Sequence, residues 1–489
     1  MRADRTGQAE PQRTVAVVGG GLSGTVFALK LGRARPDLRI VIVDEPRRAG
    51  RGLAYGACSP MHLLNVPVNR METGLEPRFI DWLAERPEAT GEALAESGGD
   101  LASAFVPRAL FGDYLEARLA EARATDQPTG VHVVRGRAVA APGDGRRGIR
   151  LEDGRTIEAA SVVLAIGNLP PGRPGGVDAW FYDTPLFTPD PWAADAFDGL
   201  DPAAPVLLVG TGLTMVDVAL KLADLGHTGP MLAVSRRGLV ARAHRAGGAW
   251  PPFLNAHLGE APLALLRRIR AEVRAAEAAG APWQRVFDAA RPAVAAVWSR
   301  WSPAQRRQFL RHLRARWDVH RHRTAPRIDA ALRSLLDRGQ LQIKAARLAG
   351  FALAGDRARV RLRPRGGGGE QTVEAARVVN CTGPASALDQ LALPLIDSLR
   401  AQGLIKPDGL GLGLETNDCA VLEAGGAVSS WLYALGPLTR PAWWEITATP
   451  EIVVQVDRLV GRMRDEAVAA APGGGRDAAA AFLDLGAGI

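Results

Sequence analysis

Val15 to Val18 form a short continuous apolar run that ends abruptly at Gly19, Gly21 and Gly24, and the FALKL stretch behind them has the apolar face of a helix packed on a sheet. A second apolar run, Arg39 to Val43, then ends in Asp44 and Glu45. This order predicts a strand, a glycine turn, a helix and a second strand. The glycines are spaced G-x-G-x-x-G, and each has its own task. Gly19 permits the tight turn, Gly21 lets the backbone approach a pyrophosphate, and Gly24 allows the helix to lie close on the strand. Gly20, Leu22 and Ser23 fall between them at the helix start, where N–H groups and the positive end of the helix dipole suit phosphate. An acid at 44 or 45 stands where a carboxylate binds a ribose hydroxyl. The complete set predicts a bound dinucleotide.

The theme returns at Val206 to Leu222. Gly210 and Gly212 keep the first two glycine positions, Leu213 and Thr214 follow, and Met215 occupies the third. The next strand, MLAVS, leads from Ser235 into Arg236 and Arg237 where the first unit had Asp44 and Glu45. Guanidinium groups there favour the 2′-phosphate of NADP through charge-assisted, bidentate hydrogen bonds, whereas an acid favours a free ribose hydroxyl. The contrast assigns FAD to the first unit and NADPH to the second.

Between and after these units the pattern changes several times. Gly50 to Met71 has neither helical nor strand period, and long irregular stretches inside compact domains are usually functional. Phe105 to Ala120 reads as a helix with Leu110, Tyr114, Leu115 and Leu119 on one face. Val131 to Asn168 reads as short strands, with Asp153 and Gly154 as a hairpin turn and SVVLAIGN as a buried strand ending at Gly167. Residues 250 to 345 read as helical, with Leu263, Leu265, Leu266 and Ile269 on one stripe. Strands resume at Leu341, and a buried strand ends in C-T-G with Thr382 and Gly383. Thr449, Pro450 and Glu451 make a helix start, with Thr449 as the cap. The predicted fold class is α/β, with two Rossmann-like dinucleotide-binding domains and a helical insertion. Expected boundaries are 13–200 and 345–465 for the FAD unit, 201–344 for the NADPH unit with its insertion at about 250–335, and a tail at 466–489.

Several segments carry a family resemblance: G-R-G-L-A-Y-G and H-L-L-N-V-P within Gly50 to Met71, the Pro107-Arg108 pair, W-D-V-H-R-H-R at Trp317 to Arg323, and A-L-G-P-L-T-R at Ala434 to Arg440. Together with the two glycine turns they resemble the bacterial FAD/NAD(P)-binding protein family sometimes called YdhS-like, itself related to the two-dinucleotide flavoproteins and to flavin-dependent N-hydroxylating monooxygenases. The likeness spans Val15 to about Val460. It implies that the Gly50 to Met71 segment lies along the isoalloxazine ring, making Arg51, Tyr55, His62 and Asn65 flavin-site or substrate-site candidates, against a plain packing or loop-capping role for Tyr55 and His62. Arg51, His62 and Asn65 are the catalytic candidates. Arg108 is a candidate partner for a flavin phosphate or an anionic substrate, against the role of an ordinary helix-start arginine. Gly167, Thr382 and Gly383 fall in the two return motifs. Gly436, Pro437, Leu438 and the following helix start are implied to face the flavin's pyrimidine end. The W-D-V-H-R-H-R run is implied to close the cofactor cleft.

Composition narrows the chemistry. The chain has 489 residues, 47% of them hydrophobic and 23% charged, with a net charge of +8. Its basic residues are almost all arginine and are spread along the chain, which disfavours a nucleic-acid partner. Neither a membrane-length apolar run nor a signal-peptide core stands out, so a cytoplasmic protein is expected, a homo-oligomer being allowed. Cys58, Cys381 and Cys419 lie far apart and make no C-x-x-C pair, which argues against a dithiol reductase. His320 and His322 lack further ligands at metal spacing, so no metal is expected. NADPH feeding FAD leaves oxygen or another electron acceptor as the outlet. The resemblance favours N-hydroxylation of a small amine or amino acid, with a reductase and a little-turning nucleotide sensor as alternatives.

Overall fold

The computed structural model describes residues 13–45, 49–56, 59–123, 129–175 and 177–469. Cys58 and most of the expected tail lie outside them. The first unit opens with β1 (Thr14–Val18), α1 (Leu22–Ala34) and β2 (Arg39–Asp44), followed by α2 (Gly52–Gly56), α3 (Phe79–Ala84), α4 (Pro87–Glu96) and α5 (Arg108–Arg123). Then come β3 (Gly130–Arg135), β4 (Ala138–Ala140), β5 (Gly148–Leu151), β6 (Thr156–Glu158) and β7 (Ser161–Leu164). The Asp153-Gly154 turn joins β5 and β6 as an antiparallel pair, as the sequence predicts. Strands β1, β2, β3 and β7 are parallel neighbours; β1, β2 and β7 are fully or largely buried, the pattern of a sheet covered on both faces, and β3 at the edge is half-buried.

The second unit holds β8 (Phe187–Thr188), β9 (Val206–Val209), α6 (Leu213–Asp224) and β10 (Met231–Ser235). The insertion follows as α7 (Pro262–Ala278), α8 (Gln284–Ala290), α9 (Val294–Arg300), α10 (Pro303–His312), α11 (Arg314–Arg321) and α12 (Pro326–Asp337). Next are β11 (Leu341–Ala354), β12 (Arg357–Pro364), β13 (Gln371–Ala375), β14 (Arg377–Asn380), α13 (Pro394–Ala401), β15 (Thr416–Asn417), β16 (Ala420–Leu422), β17 (Val428–Ala434) and α14 (Thr449–Ala469).

Among the described residues the first sheet runs β15-β16-β17-β7-β1-β2-β3 and the second β13-β12-β11-β10-β9-β14-β8, with β4-β5-β6 as a small third sheet. This corrects the expected boundaries. Strands β11 to β14 pair into the second sheet rather than the first, so the return at 345 is wrong, and β8 already belongs to the second sheet before residue 201. Their physical reason is pairing: Leu341 to Ala345 extends the parallel ladder beside β10 before turning into the β11–β12 hairpin. The chain rejoins the first sheet only through β15 to β17. Helix α14 then packs on α1, with Ile452, Val456 and Leu459 in the same core as Val26 and Phe27.

Candidate active site

The two glycine turns are built alike. Gly19 has φ +101° and Gly210 φ +120°, a region that L side chains rarely adopt. A Cβ on Gly19 would run into the carbonyl oxygen of Ala165, and one on Gly210 into that of Cys381. Their amides donate to equivalent carbonyls, Gly19 to Val43 at 2.9 Å and Gly210 to Val234 at 2.8 Å. At the third position a Cβ on Gly24 would collide with the Gly19 carbonyl, which is the close helix-on-strand packing its spacing predicts. Met215 takes that position in α6 and is instead wholly buried in the core of the second unit.

Gly21 and Gly212 are the N-caps of α1 and α6, with φ/ψ of −75°/−165° and −82°/−166°. Neither helix start has a side-chain cap or an acidic residue in its first turn. Their N–H groups and dipole ends are therefore left for a ligand, and an anion suits them. A Cβ on Gly212 would meet nothing within 4 Å, and one on Gly21 only the Cα of Gly52 at 3.5 Å. These are open approaches to the backbone, as a pyrophosphate requires. Leu22 and Ser23 are buried at the start of α1, whereas Leu213 and Thr214 are less enclosed at the start of α6. The Gly20 amide is already used: it donates to Asp44 Oδ2 at 2.8 Å, while Asp44 Oδ1 accepts from the Glu45 amide at 2.7 Å. Asp44 thus closes β2 against the glycine turn, and Glu45 is exposed beyond it.

The second unit ends β10 in positive charge. Arg236 is exposed, and Arg237 donates to the Arg311 carbonyl at 3.1 Å. Burial, with repulsion from Arg236, Arg365 and Arg316, holds the Arg237 guanidinium below its ordinary range. Four guanidiniums close enough for Arg237 to feel the charge of the other three would suit a multiply charged anion. Arg316 on α11 and Arg365 after β12 arrive from far along the chain, and no local signal marked them.

The segment expected along the flavin ring serves several structural ends. Arg51 is held by Asp113 and by Glu116 on α5, at 2.7–2.9 Å for Glu116. Two carboxylates already pair with it, so holding a phosphate or an anionic substrate would require it to exchange partners. Tyr55 sets its ring edge-on to Phe111, 4.9 Å between centroids, and packs on the first core. His62 accepts the Ser59 amide at Nδ1, 3.1 Å, so its Nε2 carries the proton and donates to the Asp217 carbonyl at 3.1 Å. Burial lowers its pKa, keeping the ring neutral. Arg108 pairs with the Asp217 carboxylate at 3.1 Å, the two side chains 12% and 11% exposed. Since Asp217 lies on α6, His62 and Arg108 clamp the first unit to the second. Both therefore have structural partners beside the roles that the resemblance implies. Asn65 differs: its carbonyl accepts from His244 Nε2 at 2.8 Å, while its half-buried side-chain amide has no hydrogen bond among the described residues. Asn65 is the candidate of this segment that stays available to a ligand.

The return motifs form the passage between the sheets. Gly167 and Gly383 have φ +71° and +80° with open space where a Cβ would lie. Asn380 donates to the Gly172 carbonyl at 3.0 Å, tying the two connections together, and accepts from the hydroxyl of Thr382, two residues on, at 2.7 Å. At the third segment Gly436, φ +72°, lies against Ser23, and its amide donates to the buried Gln455 Oε1 at 2.8 Å. Pro437 follows in the same turn, and Leu438 is buried, its carbonyl accepting from Leu414 at 2.8 Å. The turn therefore sits beside the start of α1, but its first amide is occupied. Thr449 does not cap α14; it starts the helix, and its hydroxyl contacts the Met71 sulfur at 3.5 Å. The W-D-V-H-R-H-R run pins the insertion to this region. Trp317 donates to Glu445 at 2.7 Å, Arg321 pairs with Glu445 at 3.1 Å, and Glu451 binds Arg291 at 2.5 and 2.6 Å.

Residues 16–169 match the family model described as FAD-NAD(P)-binding. No curated protein matches the chain in sequence. Among solved structures the chain is similar to the ornithine N-hydroxylase of Kutzneria sp. 744, with reduced FAD, NADP+ and L-ornithine, at TM-score 0.65 and 17% identity over 94% of this chain and 100% of that one. The fold is that of the two-dinucleotide flavoproteins. Similar too are the L-lysine 6-monooxygenase of Pseudomonas syringae (TM-score 0.61, 18% identity, 94% and 100% covered) and the FAD-bound cadaverine monooxygenase of Erwinia amylovora (0.62, 12%, 94% and 95%). At these identities the likeness establishes architecture. Among the described residues no helix is long and apolar enough to cross a membrane. Cys381 and Cys419 are buried free thiols with pKa values raised by that burial, Cys419 to about 12.

Proposed function

We propose that the chain is an FAD- and NADPH-dependent oxidoreductase, a monooxygenase that uses O2 to hydroxylate the nitrogen of a small amine or amino acid. The observation that carries the cofactor reading is the contrast between two equivalent turns. Both offer an uncapped helix start to a pyrophosphate, but one ends its second strand in Asp44 and the other in Arg236 and Arg237 within a group of four arginines. FAD, when bound, would accept hydride and pass electrons to oxygen. The start of α1 and Asp44 would hold its pyrophosphate and ribose. The start of α6 and the arginines would hold NADPH. The Arg108–Asp217 clamp and the Asn380–Gly172 tie fix the mutual placement of the two units, and such positioning lowers barriers without a protein nucleophile. Buried, weakly acidic Cys381 and Cys419 are poor candidates for a dithiol outlet. N-hydroxylation draws its support from the fold shared with the ornithine, lysine and cadaverine enzymes.

The test is NADPH consumption in air with a panel of amines and amino acids, with hydroxylated product and hydrogen peroxide measured together. An amine that raises NADPH consumption with matching product formation supports the reading. Strong stimulation by an artificial electron acceptor and by no amine would replace it with the reductase. FAD and NADPH binding without consumption would replace it with the nucleotide sensor.

A further inference from the structure

The helical insertion lines most of a half-open cavity of about 840 Å³. Small-molecule sites are commonly about 300–1,000 Å³, apolar, with a few polar groups that orient the ligand. Part of its lining is aromatic, contributed by Trp283, Phe287, Trp298, Trp301, Phe309 and Trp444. From α7, Leu266, Ile269 and Val273, three and four residues apart and so on one face, join the lining with the neighbouring Leu265. Leu266, Ile269 and Val273 stay half-exposed although they belong to that apolar stripe. In a close-packed interior such a stripe meets side chains; here it faces the cavity and lacks those dispersion contacts.

Charge at the lining is one-sided. Arg242, Arg270, Arg274 and Arg316 contribute to it, all exposed, with Glu277 the acid among the lining residues. Arg270 and Arg274 stand one turn apart on α7, on either side of Val273 along the chain. Arg316 also belongs to the basic group at the end of β10, so it is shared, whereas Arg242, Arg270 and Arg274 are outside that group. A smaller cavity of about 370 Å³ adjoins, sharing Arg242, Trp283 and His320, and is lined by His244, which donates to the Asn65 carbonyl at 2.8 Å. The hollow thus extends from the insertion toward the segment that carries the available Asn65 amide.

We propose that the insertion cavity binds a hydrophobic anion with an aromatic ring system, its rings against the aromatic lining and α7 and its carboxylate at Arg270, Arg274 and Arg242. Flat rings find edge and face partners on this lining, which a small polar amine would leave without contact. The arginines supply bidentate recognition of a carboxylate. The assignment goes beyond the cofactor reading and does not depend on it.

The probe is 2-naphthoate, titrated into the full chain and followed by tryptophan fluorescence and calorimetry. Saturable, one-site binding is expected. Ile269→Trp, which fills the cavity, and the charge-reversed R270E/R274E pair should each weaken it by about tenfold or more, and the neutral 2-naphthamide should bind several-fold less tightly. Because Arg270 and Arg274 are exposed, their replacement keeps the test decisive if Ile269→Trp disturbs folding. Absence of saturable binding, unchanged affinity in both variants, or binding of palmitate with none of 2-naphthoate would overturn the proposal. Flavin content and NADPH-driven flavin reduction, read on the same samples, report separately on the cofactor reading.

Discussion

The Arg108–Asp217 pair offers a quantitative test of how the two units are joined. Its side chains are only 12% and 11% exposed and the charged atoms lie 3.1 Å apart. Asp217→Leu leaves the Arg108 guanidinium enclosed without its carboxylate, a loss of about 3–5 kcal/mol for a buried pair. With an m value of about 3 kcal/mol/M in urea, that lowers the unfolding midpoint by about 1 M or more. Arg108→Met should cost a similar amount by stranding Asp217. The double variant R108M/D217L replaces both charges by apolar groups and should recover much of the loss, because a matched apolar pair can substitute for a buried ion pair. Urea unfolding followed by tryptophan fluorescence measures the three midpoints, and flavin absorbance measures cofactor content. A clamp predicts a large favourable coupling and a double variant that still holds flavin. Losses that simply add, or a double variant stripped of flavin, would refute the clamp and return Arg108 to the role of phosphate ligand.

Other outcomes follow from the same structure. Gly21→Trp fills the approach to the start of α1 and should reduce bound flavin at least tenfold, measured by the absorbance ratio of purified protein. Arg236→Ala and Arg237→Ala should each lower the preference for NADPH over NADH by about tenfold or more, since a charge-assisted bond contributes about 1.5–3 kcal/mol; rates of flavin reduction with the two cofactors check it. Burial, with repulsion from Arg323, holds His244 down at about 4. The unfolded chain therefore binds the extra proton first as pH falls, so the stability linked to His244 is complete above about pH 6.5 and is lost toward pH 4, by about 3 kcal/mol in all. His244→Gln should flatten the fall in urea midpoint between pH 7 and 5, although His62 and His322, whose pKa values are lowered by burial as well, retain part of the slope.

The glycine turns were legible because their spacing is local: Gly19 takes a positive φ, Gly21 leaves the backbone open to a ligand and Gly24 must clear the Gly19 carbonyl, and the acid or arginine follows at the end of the next strand. Charge contrast between Asp44 and Arg236 was legible for the same reason. Roles set by distant partners were not. Arg51 looked free until Asp113 and Glu116 met it across α2 and α5, and Arg108 until Asp217 arrived from another unit. Asn380 and Gln455, which hold the connecting strands and the Gly436 turn, carry no motif at all. The sheet placement of Leu341 to Ala345 depended on pairing with Met231 to Ser235, a ladder partner more than a hundred residues earlier.

The most direct test of the central claim is anaerobic mixing of the purified, flavin-loaded protein with NADPH or NADH, watching the flavin absorbance. The account predicts bleaching by NADPH at least tenfold faster at subsaturating cofactor than by NADH, with that advantage collapsing in R236A/R237A while flavin content holds. Purified protein without flavin after FAD is supplied, or bleaching by both cofactors at equal rates with the variant unchanged, would contradict it.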